Sequence, residues 1–358
     1  TKHIILADRK TLKCPNGIVL GTPGSGKSFF AKREMANAFF ATPDHILILD
    51  PENEYTALTE QLHGQTIYLA PDSQSYLNPM DLDLSTDVGE SPMLMQADFL
   101  LSQCELMMAS YGNPLMPIEN SLIDRCISLV YRDYLKNPRP ENMPILGDLY
   151  QCLREQHNSR ADDLATAMEI YVTGSLSYLN HRTNVDLNNR MVCYNISKLG
   201  QGLKKLVMSN VQKHIWQRTA VNRYAGITTR IFLDEFHLLL KEPQTAAYTA
   251  EIYKRFRKWN GIPTSLTQNV KDLLDSSEIE NILENSDFVL MLNQGASDRN
   301  ILAQRLGISP QELSHVTNSS EGEGLLFFGD KIIPFEDKFP RDTQLYRVMT
   351  TKPSELAA

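Results

Sequence analysis

Short apolar runs bounded by polar turns recur along this chain. They are GIVLG (17–21), HILILD (45–50), TIYLA (66–70), MVCYNIS (191–197), TRIFLDE (229–235), PTSLTQ (263–268) and FVLMLN (288–293). Runs of this length without strict alternation read as strands buried on both faces, as in a parallel sheet. Helical periodicity falls between them. SFFAKREMANAFF (28–40) sets Phe29, Phe30, Met35, Phe39 and Phe40 at helical spacing. The alternation predicts an α/β fold with a mainly parallel central sheet and helices on both faces.

The rhythm changes between about 85 and 180. The segments 91–110, 118–136, 145–156 and 161–174 all carry helical patterns with few strand signals, and Pro114, Pro117, Pro138, Pro140 and Pro144 punctuate their joints. We expect an inserted all-α subdomain at 85–180, with the α/β domain supplied by 1–84 and 181–358. Met93, Met95, Met107 and Met108 read as packing of that helical part rather than as a partner surface. GEGLLFFGDKIIPF (322–335) alternates about a Gly-Asp turn and predicts a C-terminal β-hairpin.

Bulk composition narrows the classes. With 358 residues, 42% hydrophobic and 22% charged, the chain is ordinary globular protein with enough length for a real core. The net charge of −8 argues against a protein that coats DNA uniformly, so any nucleic-acid contact is local. Cys14, Cys104, Cys126, Cys152 and Cys193 form no CxxC pair, which points to reduced thiols. No apolar run reaches the ~20 residues needed to span a bilayer. Residue 1 is Thr, and we read the chain as a piece of a larger protein.

The chemistry concentrates in GTPGSGKSF, residues Gly21, Thr22, Pro23, Gly24, Ser25, Gly26, Lys27, Ser28 and Phe29. GxxxxGKS between a strand and a helix is a phosphate-binding loop. Its glycines let successive backbone N–H groups face inward, and the following helix adds its positive end. Lys27 supplies a charge for the β- and γ-phosphates, and the Ser28 hydroxyl is a ligand for Mg²⁺. The expected cofactors are ATP and Mg²⁺.

A second element is IFLDEFH (231–237), an apolar strand ending in two carboxylates. Asp234 is placed to hold the Mg²⁺ shell through water, and Glu235 to orient or deprotonate the attacking water. Without the upstream loop the pair would read as the acidic start of a helix. Gln268, at the end of the 263–268 run, is a candidate sensor of the γ-phosphate. LDPENEY (49–55) offers Glu52, and less strongly Asp50 and Glu54, as a helper for water or metal, with a solvated turn as the alternative. YKRFRKWNG (253–261) carries Arg257 and Lys258, and GASDRN carries Arg299. Each is a candidate cation for completing a neighbouring subunit's site, against a plain solvated basic face. His237 reads as a packing or capping residue.

At these residues the chain resembles a known family, the large assembly ATPase of conjugative and type IV secretion systems, within the HerA–FtsK-like translocase superfamily. The segments GTPGSGKSFFAKREM, ILDPENEY, YLNPMDL, IFLDEFHLLL, RKWNG and SLTQN carry the likeness, and LNPMDL (77–82) is the most telling. The resemblance implies a RecA-like ATPase domain with an inserted helical part and ATP hydrolysis with Mg²⁺. It also implies a hexamer or dimer in the full-length protein, with the isolated fragment a candidate monomer. The implied partners are secretion-channel proteins and a DNA or protein substrate. The implied location is the cytoplasmic, inner face of the bacterial membrane, reached through those partners. By motif position the family roles fall on Lys27, Ser28, Asp234, Glu235 and Gln268, and less firmly on Arg257 and Lys258.

Two other functions fit the same motifs. One is a nucleotide-gated docking module that hydrolyses slowly. The other is a DNA-translocating or coupling ATPase, which would present basic loops, and LKKLVMSNVQK (203–213) and the 253–258 cluster are the candidates. Neither has the interleaved aromatics that single strands stack on.

Overall fold

The apolar runs pair as strands, and their register brings four strand ends to one edge of a sheet. The computed structural model of the chain describes residues 3–84, 91–109, 115–268, 270, 278–352 and 355. In chain order the first elements are β1 (Gly17–Leu20), α1 (Lys27–Ala41), β2 (His45–Asp50), α2 (Thr56–Gln61) and β3 (Gln65–Tyr68). A helical stretch follows: α3 (Pro92–Ala109), α4 (Pro117–Val130), α5 (Arg132–Lys136), α6 (Leu146–Arg154) and α7 (Ser159–Val172). Then come β4 (Met191–Asn195), α8 (Gln201–Tyr224), β5 (Thr229–Leu233), α9 (Pro243–Phe256), β6 (Gly261–Thr267), α10 (Glu278–Glu284) and β7 (Phe288–Met291). The chain closes with α11 (Ala296–Leu306), α12 (Pro310–Leu313), β8 (Glu323–Phe328), β9 (Lys331–Glu336) and α13 (Gln344–Met349).

The strands form one sheet in the order β3-β4-β2-β5-β6-β1-β7-β8-β9. β2, β5, β6, β1 and β7 are parallel, while β8 and β9 add an antiparallel hairpin. Its turn uses Gly329 at φ 63°, a conformation open to glycine. β1, β5 and β6 are buried at every position, which is why they read as unbroken apolar runs. The fold class is therefore α/β of the P-loop type, as expected.

The chain divides into two units, one of residues 1–66, 189–193 and 222–358, the other of 67–188 and 194–221. The helical part expected at 85–180 thus takes in more at both ends. Its expected start falls at 85–90, outside the described residues.

LNPMDL explains the earlier start. Asn210 and Lys213, on α8, donate to the carbonyls of Leu77 and Pro79 at 2.9 Å each. Gln96 on α3 donates to Pro79 O at 2.9 Å, and the Tyr131 hydroxyl donates to Met80 O. Thr183 Oγ1 donates to Asp81. A segment with no ladder of its own satisfies its carbonyls with buried side chains, which welds it to these helices. The signature is architectural. α8 itself was legible only as a basic stretch; residues 203–213 lie on this helix, not in a loop, and Lys213 is buried. Met107 and Met108 are core residues, in line with packing.

In the first unit, α1 buries Ala31, Met35 and Ala38 along one face against the sheet. Thr42 ends it by donating Oγ1 to Ala38 O at 2.7 Å. Near the strand starts lies a buried ionic chain. Arg9 donates to Glu34 at 2.8 Å, Arg230 reaches Glu34 at 3.1 Å and Asp44 at 2.9 Å, and Lys10 meets Asp44 at 2.6 Å.

Candidate active site

Register fixes the site before any side chain is considered. Leu20 of β1 lies opposite Thr267 of β6, Leu233 of β5 opposite Ser265, and Leu49 of β2 opposite Leu233. Gly21, Gln268, Asp234 and Asp50 therefore leave the sheet along one edge. One strand separates β1 from β5, so the loop and the acidic pair stand about 10 Å apart across the sheet.

The loop 21–28 is shaped by close approaches. A Cβ on Gly21 would lie 2.4 Å from Ser25 Oγ and 3.1 Å from Leu292 Cβ, so a side chain there would push the serine aside. Gly26 caps α1 at φ 102°, again a glycine conformation. Thr22 N donates to Asn293 O at 2.9 Å, tying the loop to the end of β7. The Lys27 ammonium is buried and donates to Gly21 O at 2.8 Å and Thr22 O at 3.2 Å. Burial lowers its pKa, and the nearby carboxylates of Glu235, Asp234 and Glu54 oppose that. Ser25 Oγ is buried without a protein partner.

On the acidic side, Asp234 is 4% exposed. Burial first, and then the charge of Glu54, push its carboxyl up to about 7; the Glu235 N–H, donating at 2.9 Å, opposes this. Glu235 adopts φ 45°, ψ 47°, strained for a residue with a Cβ. That turn swings its carboxylate toward β6, where Gln268 Nε2 donates to Oε1 at 3.0 Å. His237 Nδ1 sits 3.2 Å from Oε2, within ion-pair range but misaligned for a hydrogen bond.

At the end of β2 the expected roles shift. Asp50 accepts from the N–H groups of Glu52 (3.3 Å), Glu54 (3.0 Å) and Tyr55 (3.0 Å), so it builds the turn. Asn53 at φ 59° separates the two glutamates. Glu52 is exposed on this turn. Glu54 instead acts electrostatically on Lys27, Lys32 and Asp234, with Oε2 buried and unpartnered. Lys32, one turn beyond Ser28, is buried beneath the cluster; burial lowers its pKa to about 8, and it donates to Met349 O at 3.1 Å. The phenol of Tyr55, also fully buried, lies beside Ser28. Sequence reading missed Lys32 and Tyr55. Their signal was spacing: Lys32 stands four residues after Ser28, and Tyr55 closes the Asp50 turn.

The candidate cations separate. Arg299 opens α11 on the loop's side of the sheet, just past Asn293, and is half-buried. Arg257 and Lys258 are exposed in the turn that leads into the start of β6, at the far edge. Arg257 Nη1 lies 3.3 Å from Cys14 Sγ there.

These groups fit a phosphate chain with Mg²⁺. The cradle that a Cβ at Gly21 would fill, the orphaned Ser25 hydroxyl and the Lys27 ammonium suit phosphate oxygens. Among the described residues no cluster of three or more His, Cys, Asp or Glu side chains forms a metal cage.

Comparison with known proteins gives the lineage. A family model, the TraG P-loop domain, matches residues 6–321. The chain belongs to the TraG P-loop domain family. No curated protein matches. Among solved structures, VirB4 of Thermoanaerobacter pseudethanolicus is similar, with TM-score 0.80 at 23% identity over 93% of this chain and 91% of that one. The plasmid coupling protein TrwB in complex with ADP and Mg²⁺ is similar at TM-score 0.62 and 14% identity, over 92% and 87% of the two chains. At such identities the likeness is one of fold. No helix among the described residues is long and apolar enough to cross a membrane.

Proposed function

We propose that this TraG-family domain is a Mg²⁺-dependent ATPase that drives the assembly of, or transfer through, a type IV secretion or conjugation channel. One observation carries the hydrolase reading. The loop 21–28 and the Asp234–Glu235 pair leave one edge of the sheet, with Gln268 between them bonded to Glu235. The loop amides and Lys27 hold the triphosphate, and Ser28 with Asp234, the latter through water, would hold Mg²⁺. Mg²⁺, when bound, neutralises charge that develops on the phosphates. Glu235 takes the proton of the attacking water, and Gln268 fixes the orientation of Glu235. ATP and Mg²⁺ are supported by the TrwB complexes with ADP and Mg²⁺ and with an ATP analogue.

The motor reading follows from the family and from the far-edge cations. Arg257 and Lys258 cannot reach their own loop, and a neighbouring copy would receive them, which favours a homo-oligomer over the slow docking module. Channel proteins, a DNA or protein substrate and a place at the inner face of the membrane belong to the same reading. The coupling-protein alternative is supported by the TrwB likeness in fold.

Steady-state phosphate release with Mg²⁺ tests it. Lys27→Ala should abolish nucleotide binding, and Glu235→Gln should stop turnover while ATP still binds. Tight ATP binding by Lys27→Ala would overturn the assignment.

A further inference from the structure

The second oxygen of the Glu235 carboxylate faces a ring nitrogen. His237 Nδ1 lies 3.2 Å from Glu235 Oε2, and both atoms are buried without an aligned hydrogen-bond partner. Two bare lone pairs held that close, away from water, would repel. Nδ1 therefore carries the hydrogen, on a neutral ring or on an imidazolium. The contact lacks angle, not reach. An imidazole turns readily about its broad terminal torsion. Hydrogen bonds at catalytic groups often align only when substrate seats.

The turn that carries both groups is anchored. Glu235 enters it at φ 45°, a single turn of 3₁₀ helix follows over Phe236–Leu240, and Leu238 N donates to Glu235 O at 2.9 Å. Phe236, between the two groups, is fully buried, with its ring centroid 6.3 Å from that of Tyr253. The Tyr253 hydroxyl lies 3.1 Å from Gly17 O on β1 and 2.6 Å from Ser265 Oγ on β6. The turn is thus tied to the two strands from which the phosphate loop and Gln268 depart. His237 cannot drift from Glu235 without disturbing that core.

We propose that His237 is a positioning residue for hydrolysis, donating from Nδ1 to Glu235 Oε2 once nucleotide is bound. The carboxylate is then gripped on Oε1 by Gln268, at 3.0 Å, and on Oε2 by His237. The proposal rests on the reading of Glu235 as the base. One donor fixes where a carboxylate sits, and two donors from different elements also fix its plane, which aims the lone pair that meets the water. A carboxylate offers about four lone-pair sites, so two donors leave room for that water.

The test measures kcat and KM for Mg²⁺-dependent phosphate release from ATP in three variants. His237→Phe keeps a flat ring and removes the donor. It should lower kcat about 10- to 100-fold, as misplacement of a catalytic group does, with KM changed by less than about threefold. His237→Asn puts an amide nitrogen where Nδ1 stood and should recover most of kcat. A role in packing alone predicts the reverse order, with Phe the better replacement. Wild-type kcat in His237→Phe, or equal losses in Phe and Asn, overturns the proposal. Should His237→Phe lose ATP binding in calorimetry, His237→Ala decides. Return of its turnover on adding free imidazole supports the clamp, and no return refutes it. Failure of the underlying reading looks different: Glu235→Gln would then turn over as fast as wild type.

Discussion

Gln268 donates its side-chain amide to Glu235 Oε1 across 3.0 Å. The bond joins the ends of β6 and β5, and it fixes a carboxylate that the strained backbone of Glu235 has already swung toward the phosphate loop. The other carboxylate oxygen is buried beside His237 and lacks an aligned donor.

This division of labour predicts a graded effect. Glu235→Gln should lower steady-state phosphate release by about 10²–10⁴-fold, the usual worth of a general base. Gln268→Ala leaves the base in place but unpinned and should cost about 10- to 100-fold, as misplacement does. Nucleotide affinity, measured by calorimetry, should hold in both. Parallel loss of affinity and turnover would assign the pair to binding instead.

Asp234 shows how much of this was legible and where legibility stopped. Loop, acidic pair and Gln268 were readable because strand-end chemistry sits at fixed sequence offsets from buried apolar runs. Residues whose role depends on a turn were not. Glu52 and Glu54 look alike in DPENEY, and only the left-handed Asn53 sends one outward and leaves the other against Asp234. The strand-rich rhythm gave the sheet, while α8 was missed because its polar and basic residues, Lys213 among them, are buried against the carbonyls of LNPMDL rather than displayed. Pairing distant in sequence leaves no local periodicity to read.

A second prediction concerns acid stability. His214 lies on α8, 6% exposed, and burial first, then the charge of Lys213, depresses its pKa from 6.5 to about 3. A depressed folded-state pKa means that the unfolded chain binds more protons between pH 6.5 and 3, so stability falls as pH drops through that window. At pH 5 the loss is about 2 kcal/mol relative to neutral pH. His214→Leu should remove this part of the acid sensitivity in urea melts at pH 7 and pH 5. An unaltered pH dependence would mean that the imidazole is hydrated in solution.

A third concerns the ionic chain near the strand starts. Glu34 accepts from both Arg9 and Arg230, whose side chains are 4% and 8% exposed. Glu34→Gln would leave two buried guanidiniums with one carboxylate, Asp44, between them. Breaking a buried pair costs about 3–5 kcal/mol. Chemical denaturation should show a loss of that order, with the phosphate-loop geometry, read by nucleotide affinity, far less affected. A loss under ~1 kcal/mol would show that water replaces the missing partner.

The last prediction follows from the length of one strand. Arg257 stands in the turn before β6, and the site lies beyond its end, seven residues on, or about 23 Å at 3.3 Å per residue. No side chain bridges that distance, so Arg257 and Lys258 have no access to the loop of their own subunit. If either cation acts in hydrolysis, it acts on a neighbour. Arg257→Ala and Lys27→Ala should each be inactive alone in the assembled protein. Mixed in one assembly they should regain part of the wild-type rate, because an intact loop then meets an intact arginine across a subunit boundary. Arg299→Ala gives the contrast: its helix starts on the loop's own side of the sheet, so a role within the subunit predicts no recovery on mixing with Lys27→Ala. Recovery is read as phosphate release at fixed total protein across mixing ratios. A flat line for the Arg257 pair, with wild-type activity in Arg257→Ala alone, would remove that residue from the reaction and leave a solvated basic turn.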